Sequence, residues 1–128
     1  LHDALPICIT GEKPEFFRPP YISYNQKMYD LIDLTFICGY GCEDWEPSVT
    51  AKERADRILR DAKPGFIILL HDMEGNTQTV EAIKTIIPAL KEQGYEFVTV
   101  RDLFRKSGIV PQRNVIYMGA DEVRNNYE

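Results

Sequence analysis

The residue types best suited to chemistry fall into three short clusters: Arg18-Pro19-Pro20-Tyr21, Asp44-Trp45 and His71-Asp72. An imidazole next to an apolar neighbour and within reach of a carboxylate has its charged form favoured, which suits it to give up a proton near neutral pH. His71, with Leu69 beside it and Asp44 as the candidate carboxylate, fits that description. A hydrogen-bonded structural histidine is the competing reading. Pro19 and Pro20 lack an N–H, so the first backbone donor after Arg18 belongs to Tyr21, on a stiff segment outside sheet pairing. Such a donor suits an oxyanion, although prolines also simply end edge strands. Trp45 can equally be a core aromatic, and Glu43, Asp44 and Glu46 a solvated acidic loop. Cys38-x-x-x-Cys42 has the look of half a zinc site, but there is no second thiolate pair, and His2 and His71 are the only imidazoles.

Positioning these clusters requires strands and helices in alternation. Glu15-Phe16-Phe17 reads as a strand, Asn25 to Ile32 as a helix, and Thr35-Phe36-Ile37-Cys38 as a second strand. Thr50-x-x-Glu53 is a capping box opening a helix with Ala51, Ala55, Ile58, Leu59 and Ala62 on one face. Phe66-Ile67-Ile68-Leu69-Leu70 is a continuous apolar run of the kind a strand covered on both faces needs. Alternation along it puts Ile67, Leu69 and His71 on one face and Ile68, Leu70 and Asp72 on the other. Asn76 or Thr77 should cap a third helix, kinked at Pro88 and closed by a left-handed Gly94. Residues 95–100 read as a fourth strand and residues 102–106 as a short helix. The expected class is therefore α/β, with parallel strands, one raw sheet edge, and the three polar clusters at the strands' carboxyl ends, where function gathers in such folds.

A length of 128 residues allows one domain, and 44% hydrophobic with 27% charged residues is an ordinary globular balance. Fifteen Lys and Arg against twenty Asp and Glu, a net charge of −5, argue against a nucleic-acid partner. No apolar run is long enough for a membrane span. Three cysteines do not make a disulfide framework. The opening Leu1-His2-Asp3-Ala4-Leu5-Pro6-Ile7 resembles the translation of a sequencing adapter, so residues 1–7 are expected to be an artefact, with the native gene continuing upstream of Cys8. Residues 107–128 lack periodicity and read as a loosely packed tail or linker.

At the three clusters the chain resembles the polysaccharide deacetylases of the NodB-homology type, carbohydrate esterase family 4. Arg18-Pro19-Pro20-Tyr21, Asp44-Trp45 and Leu69-Leu70-His71-Asp72 match three of that family's motifs in family order, and Phe36 to Trp45 looks most like the bacterial acetylxylan-esterase branch. The resemblance implies the C-terminal part of a deformed (β/α) barrel of about seven or eight mainly parallel strands, with residues 8–106 inside that domain. It implies His71 as general acid, Asp44 as the group that orients and charges it, Arg18 as the tether of a catalytic-base aspartate, Tyr21 as the oxyanion donor, and Trp45 and Leu69 as walls of an acetyl slot. The substrate is expected to be acetylxylan or an N-acetylglucosamine polymer.

In this family a divalent metal, zinc or cobalt, activates water. The motifs supplying the base aspartate, the metal-ligating aspartate and the His-x-x-x-His pair do not occur in these residues, so no metal ligand is assigned. This chain alone is expected to hold no metal and turn over no substrate, whereas the intact protein does both. A polymer substrate also implies a secreted or surface location. The alternative is a non-catalytic carbohydrate-binding relative of the same fold. A doubly wound nucleotide-binding domain would need a Gly-rich phosphate loop, and none is present.

Overall fold

A computed structural model describes residues 9–124, so the adapter-like run 1–7, Cys8 and the last four residues of the tail lie outside the described residues. The sheet contains β1 (Phe16–Phe17), β2 (Thr35–Ile37), β3 (Ile116–Gly119) and β4 (Glu122–Arg124) in that spatial order. The first two pairs are parallel, Phe17 opposite Phe36 and Phe36 opposite Ile116, and β4 turns back antiparallel to β3. The α/β class with mainly parallel pairing is as expected.

Alternating side chains give this sheet two buried faces. Phe17, Phe36 and Ile116 meet Tyr29, Met28 and Ile32, which belong to or follow α1 (Gln26–Leu31). Asn25 caps that helix by accepting from the Met28 N–H at 3.1 Å. Phe16, Ile37 and Tyr117 face the opposite way onto Phe104, Leu103 and Val100 of α4 (Val100–Ser107).

The helix α2 (Ala51–Asp61) opens on the expected capping box, with both Thr50 and Glu53 reciprocating. It packs against α3 (Thr77–Glu92), burying Ala55, Ile58, Ala82, Ile86 and Leu90 together. The helix α3 continues through Pro88. Its end is a Schellman arrangement, Tyr95 N–H to Leu90 C=O at 2.9 Å and Gly94 N–H to Lys91 C=O at 3.0 Å, around a Gly94 with φ +90°.

Three expectations about the elements need correction. Residues 66–70 are extended, but only Ile67 is buried and the other four are half-buried, and they join the sheet only at two isolated bridges, Tyr40 with Ile68 in parallel and Phe66 with Gly119 antiparallel. β3 already pairs with Phe36 and Ile37 through Ile116 and Tyr117, so this run meets β3 only at Gly119 and otherwise bonds to Tyr40, on the continuation of β2. Residues 95–99 form no ladder. Residues 95–98 instead line, with Phe66, Ile67, Ile68 and Leu70, an apolar groove of about 350 Å³, and Thr99 caps α4 by accepting from the Asp102 N–H, so helix begins at Val100. Residues 107–124 are not loose, since Ile116, Tyr117 and Ala120 are among the most buried side chains.

Candidate active site

The parallel pairing of β1 with β2, and of Tyr40 with Ile68, brings the chain out of all three extended runs at one end of the sheet. Arg18 follows β1, Asp44 lies in the loop after β2, and His71 ends the third run. Alternation works as expected. Ile68 and Leu70 pack on the α2–α3 cluster, whereas Leu69 packs with Phe36, Cys38 and Ile116 on the other face.

Asp44 is fully buried (0% exposed) and grips His71 twice: Oδ1 is 2.8 Å from the ring Nδ1, and Oδ2 accepts the His71 backbone N–H at 2.6 Å. Thr79 Oγ1 adds a third hydrogen bond to Oδ2 at 3.0 Å. Burial alone pushes the Asp44 carboxyl up. The hydrogen bonds from the His71 backbone, the His71 ring and Thr79 outweigh it and hold the carboxyl below the ordinary aspartate range. An ionised carboxylate can only accept, so Nδ1 carries a proton and Nε2 is the ring nitrogen left for chemistry. The His71 side chain is 31% exposed, open enough to meet a substrate.

Trp45, half-exposed, stands edge-on to the His71 ring with centroids 5.5 Å apart. Leu69 and Trp45 both border Gly41, where a Cβ would lie 3.9 Å from Leu69 Cδ2 and 4.0 Å from Trp45 Cζ3. His71, Asp44 and Trp45 thus form one cluster.

Arg18 and Tyr21 stand at the same end of the sheet but form no hydrogen bond or ion pair with that cluster among the described residues. Arg18 is exposed. Tyr21, 99% exposed, opens a left-handed turn with φ 55° at its own position and 53° at Ile22, and its N–H has no backbone partner among the described residues. Asp72 is exposed.

A polar group beneath the cluster belongs to none of the sequence motifs. Arg54, on α2, is buried at 1% exposure and donates to Thr79 Oγ1, Asn76 Oδ1 and the carbonyls of Val49 and Glu46. Asn76, expected as a helix cap, occupies the N-cap position of α3, but its amide is taken by Arg54 and by the His71 carbonyl, which it meets at 3.0 Å through Nδ2. Arg54 falls three residues after Ala51 and four before Ile58, on the apolar stripe of its helix, and that is the signal of its burial.

No three His, Cys, Asp or Glu side chains among the described residues cluster as a metal site requires. Burial pushes the Cys38 and Cys42 thiols up, away from the thiolate a metal needs. The described residues therefore do not fit a catalytic metal by themselves.

No protein-family model matches the chain. It is 54% identical over 108 residues to a bifunctional xylanase/deacetylase of Pseudobutyrivibrio xylanivorans, covering 84% of this chain and 18% of that protein. The Xyl-CE4 domain of a multidomain xylanase from the hindgut metagenome of Trinervitermes trinervoides superimposes with a TM-score of 0.89 at 45% identity, over 93% of this chain and 58% of that one. A family 4 acetyl xylan esterase from Clostridium thermocellum, solved with a cobalt ion, gives a TM-score of 0.86 at 36% identity, over 94% and 60%. The chain belongs to the polysaccharide deacetylases of carbohydrate esterase family 4. It spans less than a fifth of the xylanase/deacetylase and about three fifths of the matched structures.

Proposed function

We propose that the protein carrying this chain removes acetyl groups from a glycan, with acetylated xylan as substrate, and that this chain supplies the acid side of the site. The observation that carries the reading is the two-point hold of Asp44 on His71 at the rim of the sheet. Nδ1 remains protonated against the carboxylate, so a second proton on Nε2 is the one available for transfer. Water adds to the acetyl carbonyl and gives its proton to the base aspartate; as the ester carbon–oxygen bond of the resulting tetrahedral adduct breaks, the Nε2 proton passes to the leaving oxygen, giving the sugar hydroxyl and acetate. The Tyr21 N–H, free of backbone pairing, suits the adduct's oxyanion. Trp45 and Leu69 wall a small apolar slot for the acetyl methyl. Arg18, exposed at the same rim, is placed to tether a base aspartate contributed from outside the described residues.

The metal implied by the family takes its ligands from residues other than those described. The chain of residues 1–128 alone is accordingly inactive, and its share of the deacetylase domain runs beyond residue 106 to include β3 and β4. The relatives named above are xylan enzymes by description, which favours acetylated xylan over an N-acetylglucosamine polymer, and a polymeric substrate favours a secreted or cell-surface protein.

Acetate release is the test. The full-length protein should release acetate from acetylated xylan faster than from an N-acetylglucosamine oligomer, and residues 1–128 should release none. Binding of xylan by the full-length protein without any release would overturn the enzymatic reading in favour of a carbohydrate-binding relative.

A further inference from the structure

Arg54 is a fully buried guanidinium with no carboxylate in ion-pair contact among the described residues. Its four acceptors are the Val49 carbonyl at 2.9 Å from Nε, the Glu46 carbonyl at 2.9 Å from Nη2, and Thr79 Oγ1 at 2.8 Å and Asn76 Oδ1 at 2.6 Å from Nη1. A buried cation without a counter-ion is costly, and an apolar side chain of similar volume often does as well or better for stability alone. Folding alone is therefore a weak reason for this residue.

Its chemistry points upward to the site. A guanidinium only donates, so every atom facing it must be an acceptor. The Thr79 hydroxyl, receiving from Arg54, must direct its single proton elsewhere, and it lies 3.0 Å from Asp44 Oδ2. The Asn76 amide, with its oxygen turned to Arg54, has only its NH₂ left for the His71 carbonyl, which it meets at 3.0 Å. One buried cation thereby sets the polarity of two relays. One ends on the carboxylate that holds the imidazole, the other on the backbone of the imidazole's own residue.

We propose that Arg54 is a positioning residue of the acid pair, fixing Asp44 through Thr79 and His71 through Asn76. The inference rests on the deacetylase reading for its kinetic consequences and on geometry alone for its spectroscopic ones. The same guanidinium ties the loop carbonyls of Glu46 and Val49 to α2, a purely structural service. The two roles separate at Thr79, which touches Asp44 but neither of those carbonyls.

The test uses the full-length protein, with kcat and KM for acetate release in Thr79→Val, Thr79→Ser, Arg54→Met and the Arg54→Met/Thr79→Val double variant. Thr79→Val should lower kcat about tenfold with KM little changed, as expected when a reacting group is misplaced. Thr79→Ser, which keeps the hydroxyl, should restore it. The double variant should lose little more than Arg54→Met alone, because Arg54→Met already removes the donor that orients the Thr79 relay. Wild-type kcat in Thr79→Val, or a double variant whose losses simply multiply, would overturn the proposal. If Arg54→Met fails to fold, the Val and Ser pair decides. Histidine-labelled protein gives a second readout, with the Nδ1–H proton resonance assigned through His71→Gln. It should lie far downfield in the wild type and Thr79→Ser and move upfield or vanish in Thr79→Val. Should the wild type release no acetate at all, the deacetylase reading fails, and this resonance alone decides the inference, with an unchanged signal in Thr79→Val overturning it.

Discussion

Asp44 holds His71 through two different parts of the same residue, the ring Nδ1 with one carboxylate oxygen and the backbone N–H with the other. The ring contact sets the tautomer and the backbone contact sets where the strand end sits, so rotation of the imidazole and drift of the loop are restrained together. A carboxylate serving only as a counter-charge would need just the first.

The held-down pKa of Asp44 makes this link pH-dependent. A carboxyl with a lower pKa folded than unfolded adds stability above its unfolded value, about 3.9, and that stability is lost as pH falls through the lower folded value. Denaturant unfolding followed from pH 7 downward should show stability declining below about pH 4. Asp44→Asn should be less stable at pH 7 and decline less steeply in acid. An identical acid limb in both proteins would contradict the account.

Gly39 is where the chain turns from β2 toward the site. Its φ is +89°, and a Cβ there would lie 2.7 Å from the Ile67 carbonyl oxygen and 2.8 Å from Ile67 Cγ2. The carbonyl cannot swing away, because it accepts from Tyr40 N–H in the bridge that carries the His71 run. Gly39→Ala should cost about 2 kcal/mol or more, combining strained backbone with overpacking. A chemical-denaturation midpoint equal to wild type would refute it.

The Thr50 capping box holds the first turn of α2, four residues before Arg54. Thr50→Ala should cost about 1 kcal/mol, and Thr50→Ser much less, since serine keeps the oxygen that accepts from Glu53 N–H. Thermal melts of the two variants side by side provide the check.

Much of the fold and of the site is legible in the residues themselves. The apolar run Phe66 to Leu70 foretells which side Leu69 takes and which side Ile68 and Leu70 take, because strand alternation is a strictly local property. Thr50-x-x-Glu53 and Gly94 are local in the same sense. What is not legible depends on partners far along the chain. Ile116 and Tyr117 are adjacent and both buried, one on each face of the sheet, so β3 carries no amphipathic signature and reads as tail. Residues 95–99 carry a strand's composition but meet no partner edge. Arg54 and Thr79 have residue types that suggest a solvated face, and only their place on apolar stripes hints otherwise.

Trp45 is half-exposed and touches the His71 ring edge-on. Trp45→Ala should change stability by only about 1 kcal/mol, yet lower kcat/KM for acetate release several-fold by opening the acetyl slot. Loss of stability without loss of activity would show Trp45 to be a packing residue.

The most direct measurement is acetate release from acetylated xylan by the full-length protein carrying His71→Gln or Asp44→Asn, each confirmed as folded by its melting curve. The expected result is a fall in kcat of about a hundredfold or more for His71→Gln, and a clear loss for Asp44→Asn, whose amide would no longer fix the Nδ1–H tautomer. Wild-type turnover in either folded variant would contradict the assignment of His71 as the acid and Asp44 as the group that holds it.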